Sequence, residues 1–145
     1  MVTTGCAIAM AACTGGSGTT GDPSDPGSLP TPGGMPVELD IFSGRPNPEW
    51  SLSSADGAQF RELLRRTPVI APEPVLNNLG YRGFVVTVPG LGTARVQNGF
   101  VQVTAADDVT YRADQDRAIE RWLLDSARQQ IEESLYDYVA RQIPG

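Results

Sequence analysis

Histidine and lysine are absent from the 145 residues, and the 11 basic residues, all arginine, face 17 acidic ones. Without histidine the chain lacks the usual proton shuttle near neutral pH and the commonest transition-metal ligand. Cysteine occurs twice, as Cys6 and Cys13, so the chain after Cys13 holds no thiol nucleophile, no internal disulfide and no thiolate metal site. No apolar run approaches the roughly 20 residues of a membrane-spanning helix. The net charge of −6 repels phosphate backbones, and no nucleic-acid partner is expected. Phosphate-binding glycine loops are missing as well: Gly90-Leu91-Gly92 has neither a third glycine nor a following helix. No serine sits in a G-x-S-x-G elbow. Acid–base chemistry is left to Asp and Glu, and no cofactor is expected.

Glycine and proline are abundant but unevenly spread. Of 16 Gly and 12 Pro, residues 1–35 hold 8 and 4. Residues 14–35 are Gly, Ser, Thr or Pro at 18 of 22 positions. Such a stretch buries too little apolar surface to offset its ordering entropy and is expected to be a disordered linker. As a flexible coil it would span about 25 Å. Ahead of it, residues 2–12 are small or apolar and uncharged, and end in Met10-Ala11-Ala12-Cys13. This end resembles the lipobox of bacterial lipoprotein precursors, with Met10 where that pattern carries Leu. The resemblance implies an export signal over residues 1–13, a lipid anchor on Cys13 as the sole membrane attachment, and a place at the cell envelope or outside the cell. The missing basic segment points to a translation start upstream of Met1.

Residues 36–145 then form one domain, and about 110 residues bury roughly two-thirds of their unfolded surface. Val37, Leu39 and Ile41 alternate with Glu38 and Asp40, the pattern of a half-buried strand. Gly44, Pro46 and Pro48 break it, and Glu49–Leu52 reads as a short return strand. Ser53, followed by Asp56, predicts a helix start, with Phe60, Leu63 and Leu64 on one face and a stop before Pro68. Residues 68–79 read as an extended connection. Tyr81–Val88, Thr93–Val96 and Phe100–Val103 read as a three-strand meander, with Asn98-Gly99 the strongest hairpin signal. Val109–Tyr111 is a candidate small extra strand. From Asp114 a single apolar stripe through Trp122, Leu123, Ala127, Ile131, Leu135 and Val139 predicts one helix of about 26 residues and about 39 Å. The expected class is α+β: a small antiparallel sheet of 4–5 strands, order β-β-α-β-β-β-α, with two helices on one face.

The most distinctive string is Asp40-Ile41-Phe42-Ser43-Gly44-Arg45-Pro46-Asn47-Pro48-Glu49-Trp50. With Tyr81-Arg82-Gly83-Phe84 it resembles a family of uncharacterised bacterial exported proteins that share an F-S-G-R-P-N-P-x-W segment and a later Y-R-G-F strand. The resemblance covers most of 37–125 and implies a shared fold but no activity. Two readings stand side by side. As a structural corner, the loop is held by Arg45 pairing with Asp40 or Glu49 and by Trp50 in the core. As a ligand loop, Arg45, Asn47 and Trp50 grip an anionic or sugar-like group.

Asp107, Asp108, Asp114 and Asp116 place four carboxylates within ten residues, a weak calcium candidate without EF-hand spacing. A solvated loop and a helix N-terminus account for them without a metal. The expected function is a non-enzymatic binding or structural module, anchored at the envelope or secreted, with a protein or glycan partner. The alternative is a small carboxylate-dependent hydrolase acting on glycans.

Overall fold

The computed structural model describes residues 33–144. Cys6, Cys13, the export signal and linker residues 14–32 therefore lie outside the described residues. Strand β1 spans Met35–Leu39, its alternation burying Met35, Val37 and Leu39. Met35, assigned above to the linker, thus opens the first strand and lies against Gly57 of the first helix. Strand β2, Glu49–Leu52, returns antiparallel and sets Trp50 opposite Val37. Helix α1, Ser54–Arg66, follows at once. The Ser53 Oγ accepts the Asp56 N–H at 3.1 Å, and the helix stops at Thr67 because Pro68 cannot continue it.

Strands β3 (Val69–Ile70), β4 (Phe84–Val88), β5 (Gly92–Gln97), β6 (Phe100–Ala105) and β7 (Asp108–Ala113) complete the sheet. Its order is β2-β1-β4-β5-β6-β7-β3, and every pairing is antiparallel. Asn98 and Gly99 adopt φ of 47° and 82°, the paired positive values that a two-residue hairpin turn requires. A single 3₁₀ turn, Gln115–Arg117, leads into α2 (Ala118–Ser126) and α3 (Glu133–Gln142).

The fold is α+β as expected, but the described residues hold seven strands rather than 4–5 and three helices rather than two. The order is β-β-α-β-β-β-β-β-α-α, not β-β-α-β-β-β-α. The two unforeseen strand features have different causes. β3 is two residues long and carries no periodicity; pairing with β7 alone makes it a strand. β7 inverts the usual alternation, with polar Thr110 and Arg112 in line with inward-facing Val103 and Val101.

The predicted single last helix is also corrected. It breaks at residues 127–132 although no Gly or Pro lies there. A straight helix of about 39 Å would carry its end past the sheet into water. Folding back instead buries Val139 and Ile143, 0% and 4% exposed, in the same core as Phe60, Leu123, Phe84 and Val96. Each large apolar side chain so buried contributes about 1.5–3 kcal/mol, enough to outweigh a few unmade helical hydrogen bonds. The bend is pinned by Tyr136, whose hydroxyl donates to Asp125 Oδ1 at 2.8 Å and accepts from Arg128 Nη2 at 2.6 Å.

Helices and core occupy one face of the sheet. The other carries the cross-strand row Glu38, Val85, Arg95, Gln102 and Tyr111. Because β3 and β4 lie far apart in the sheet, residues 71–83 must travel back across it. Val75, Leu76 and Asn77 line a cavity with Arg95, which places this connection over the open face.

Candidate functional site

The proline loop is built on Asn47. Its Oδ1 accepts the backbone N–H groups of Ile41 (3.1 Å) and Phe42 (2.8 Å), and its Nδ2 donates to Glu38 Oε1 at 2.6 Å. The side chain thus takes the place of a strand partner where β1 ends, which an Asn does well because its amide mimics the backbone. Trp50 is 8% exposed, stands edge-on to the Phe84 ring at 6.1 Å, and donates from Nε1 to Ser126 Oγ at 3.1 Å. Arg45 behaves differently. It is exposed, pairs with neither Asp40 nor Glu49, and lays its guanidinium over the Phe42 ring, 3.4 Å from the centroid. Of the three candidate ligand residues, Asn47 and Trp50 are committed to structure and Arg45 faces solvent.

The arginine that pins the loop is Arg82, from the Tyr81-Arg82-Gly83-Phe84 segment. It donates to Asp40 Oδ1 from Nε (3.0 Å) and Nη2 (2.5 Å), and Nη2 also reaches the Phe42 carbonyl at 3.0 Å. Arg95 from β5 takes the other oxygen, Oδ2, at 2.7 Å. Asp40 and the Arg82–Gly83 backbone exchange two further hydrogen bonds, at 2.9 and 2.8 Å. The two sequence segments singled out above are therefore one structural unit, with Asp40 at its centre. Burial pushes the Asp40 carboxyl up, but hydrogen bonds and attraction from Arg82 and Arg95 outweigh it and hold it below its ordinary 3.8.

What remains accessible is a groove of about 470 Å³ between the loop and the α2–α3 bend. Phe42, Arg45 and Pro48 line one side; Ile131, Leu135 and Tyr138 line the other, with Gln130, Glu132 and Ser134 adding polar groups. That volume falls within the roughly 300–1,000 Å³ of small-molecule sites. The helical wall was missed from sequence because a straight helix would not bring residues 130–138 back to the loop.

The four aspartates do not form a site together. Asp107 sits in the turn before β7 and Asp108 opens that strand, whereas Asp114 and Asp116 lie beyond its far end. Six residues of strand separate them by about 20 Å. Among the described residues no group of three acidic side chains is placed to hold a metal ion. Asp114 is 3% exposed and caps α2, accepting the N–H groups of Ile119 (2.9 Å) and Glu120 (3.0 Å).

Next to it lies a cluster that sequence reasoning did not find. Glu120, fully buried, accepts from the Tyr81 hydroxyl at 2.5 Å, while Arg117 Nε stands 3.8 Å from its other oxygen. Burial pushes the carboxyls of both Asp114 and Glu120 above their ordinary 3.8 and 4.5, against the hydrogen bonds that favour ionisation. Desolvation likewise raises the Tyr81 hydroxyl.

These shifts act in opposite directions on stability. Asp40, held low, contributes stability above pH 3.8 that is lost as pH falls further. Asp114 and Glu120, held high, bind protons more tightly folded than unfolded, so stability falls as pH rises above 3.8 and 4.5. Thermal melts between pH 2.5 and 8 are expected to peak near pH 4. Glu120→Gln, which retains an acceptor for Tyr81, should flatten the fall toward neutrality. A melting temperature that climbs steadily to pH 7 would contradict this account.

No protein-family model matches the chain, and the searches of curated proteins and of solved structures find no match either.

Proposed function

We propose that the protein is a non-enzymatic binding module, carried at the cell envelope by a lipid on Cys13 or released outside the cell. Its ligand seat is the groove between the proline loop and the α2–α3 bend, and its ligand is an acidic glycan. One observation carries this reading. The loop locks Asn47 and Trp50 into the scaffold, yet leaves Arg45 stacked on Phe42 at a groove edge opposite Tyr138. A guanidinium held over a ring is pre-oriented to take a carboxylate, and Tyr138 offers an apolar face with a polar tip to a sugar ring. The rigid corner and the exposed arginine are then two parts of one device.

The carboxylates pushed upward, Asp114 and Glu120, are sealed from solvent, so no observation favours the hydrolase reading. The described helices include none long and apolar enough to cross a membrane. Anchoring rests on the Met10-Ala11-Ala12-Cys13 string.

The reading is tested on an array of acidic and neutral oligosaccharides. Binding to uronic-acid-bearing members is expected, weakened at least about tenfold by Arg45→Ala or Tyr138→Ala, with melting temperature little changed. Binding indifferent to both substitutions removes the groove from consideration. For the anchor, Cys13→Ser in the full-length gene product should abolish fatty-acid labelling; unchanged labelling refutes it.

A further inference from the structure

β7 breaks the rule that the helix-facing side of the sheet is apolar. In two cross-strand rows the inward positions run Val86, Ala94, Val103 and then Thr110, and Phe84, Val96, Val101 and then Arg112. Val109 and Tyr111, which fit a core better, point to the other face. Tyr111 gains the Phe100 ring there, 6.1 Å away, but Val109 stays exposed, and the helix-facing side of β7 is left to a hydroxyl and a guanidinium. A local pattern reversed in this way is where a functional demand is expected.

The reversal opens a trough of about 340 Å³ between α1 and the inner side of β6 and β7. Leu64, Val103 and Leu91 give it apolar walls. Three guanidinium groups rim it, those of Arg61, Arg65 and Arg112, against the single carboxylate of Asp108. In a chain of net charge −6 this is a local excess of positive charge. Arg112 is fixed by its Nη1, which donates to the carbonyls of Thr67 (2.8 Å) and Leu64 (3.4 Å) at the end of α1. Its Nε and Nη2 donate to no other described residue. Arg61 is held from one side only, through Nη2 to the Pro89 carbonyl at 2.6 Å. Arg65 chelates Glu62 on the exposed helix surface, a pairing that water screens and a ligand can replace.

We propose that this trough is a binding site for a free medium-chain aliphatic carboxylate. The apolar walls take the hydrocarbon tail, and the arginine fork takes the head through charge-assisted hydrogen bonds. A singly charged head fits better than a phosphate. The trough lies against the carboxyl end of α1, whose carbonyls oppose part of the arginine charge, and among the described residues no helix N-terminus lines it. The volume lies near the lower end of small-molecule sites, about 300–1,000 Å³, which suits one short chain.

The test is calorimetric titration of the full chain at pH 7 with octanoate, 1-octanol and butyrate, with backbone amide shifts read in parallel. Saturable one-to-one binding of octanoate is expected, with shifts at Val103 and Thr110. Octanol, which lacks the charge, and butyrate, which lacks the tail, should each bind at least about tenfold more weakly. The double variant Arg61→Gln/Arg65→Gln should lose octanoate by about tenfold or more and leave octanol unchanged. Leu91→Asp, at a rim position 40% exposed and safe for folding, should do likewise for octanoate. Arg45→Ala should have no effect, which separates this site from the groove beside the proline loop. Octanoate that fails to saturate, that binds all variants equally, or that shifts amides only around residues 42–48 overturns the proposal.

Discussion

Replacing Trp50 by alanine is expected to cost about 3–5 kcal/mol of stability, the range for deleting a large buried aromatic side chain. The ring sits between β1 and the helical layer, edge-on to Phe84, and its Nε1 holds Ser126 at the end of α2. The substitution therefore opens a cavity, removes an aromatic contact and leaves the Ser126 hydroxyl without its donor. Arg45→Ala, five positions earlier, should change stability by less than about 1 kcal/mol, because an exposed cation–π contact contributes only about 0.5–1 kcal/mol. Urea midpoints at constant slope measure both. Near-equal midpoints for the two variants would mean that Trp50 is not part of the core, and the division of the loop into scaffold and accessible edge would fail.

Gly83→Ala is expected to be comparably severe, about 2–5 kcal/mol from backbone strain and overpacking together. Gly83 has φ of +99°, and a β-carbon there would lie 2.3 Å from the Val96 carbonyl oxygen and 2.7 Å from the Gln97 Cβ. Neither neighbour yields cheaply, since one is sheet backbone and the other belongs to a side chain that is fully buried. Relief would require Gly83 to move, which breaks its hydrogen bond with Asp40 and shifts Arg82 off the Asp40 carboxylate. Gly44→Ala is the control: φ is +87°, but nothing lies within 4 Å. It should cost only the dihedral strain, about 1–2 kcal/mol. Thermal or chemical denaturation distinguishes them. Equal losses would show that the close approach of Gly83 to β5 carries no weight.

The parts of the fold that local chemistry specifies were legible in the sequence. Alternation in 37–39 marks a strand, Ser53 and Asp56 mark a helix start, Pro68 marks its end, and Asn98-Gly99 closes a hairpin. In each case the signal and the structure it produces lie within a few residues of one another. Glu38 and Asp40 sat correctly on the polar side of their strand. The two strings Asp40–Trp50 and Tyr81–Phe84 were recognisable as unusual, and they prove to contact each other. Sequence reasoning attached the loop's ion pair to the wrong arginine: Arg45 is nearer Asp40 along the chain, but Arg82 is nearer in space. Nothing in residues 40–50 reports that β4 will lie beside β1.

The same limit explains the rest. Composition and spacing alone determined the α+β class, the polar and proline-rich loops, the absence of histidine and cysteine chemistry from the domain, and most strand and helix positions. Tertiary structure alone decided that the last apolar stripe bends at 127–132, that Val69–Ile70 becomes an edge strand, that Thr110 and Arg112 face inward, and that Tyr81 meets Glu120 across 39 positions. The bend is the clearest case, since residues 126–132 favour continuing the helix. It exists because only a folded-back α3 can bring Val139 and Ile143 into the core, and burial of those side chains depends on strands more than 30 residues earlier in the chain. Capping, turns and periodicity act over a few residues; burial is shared by the whole chain, so where the two conflict, the sheet decides.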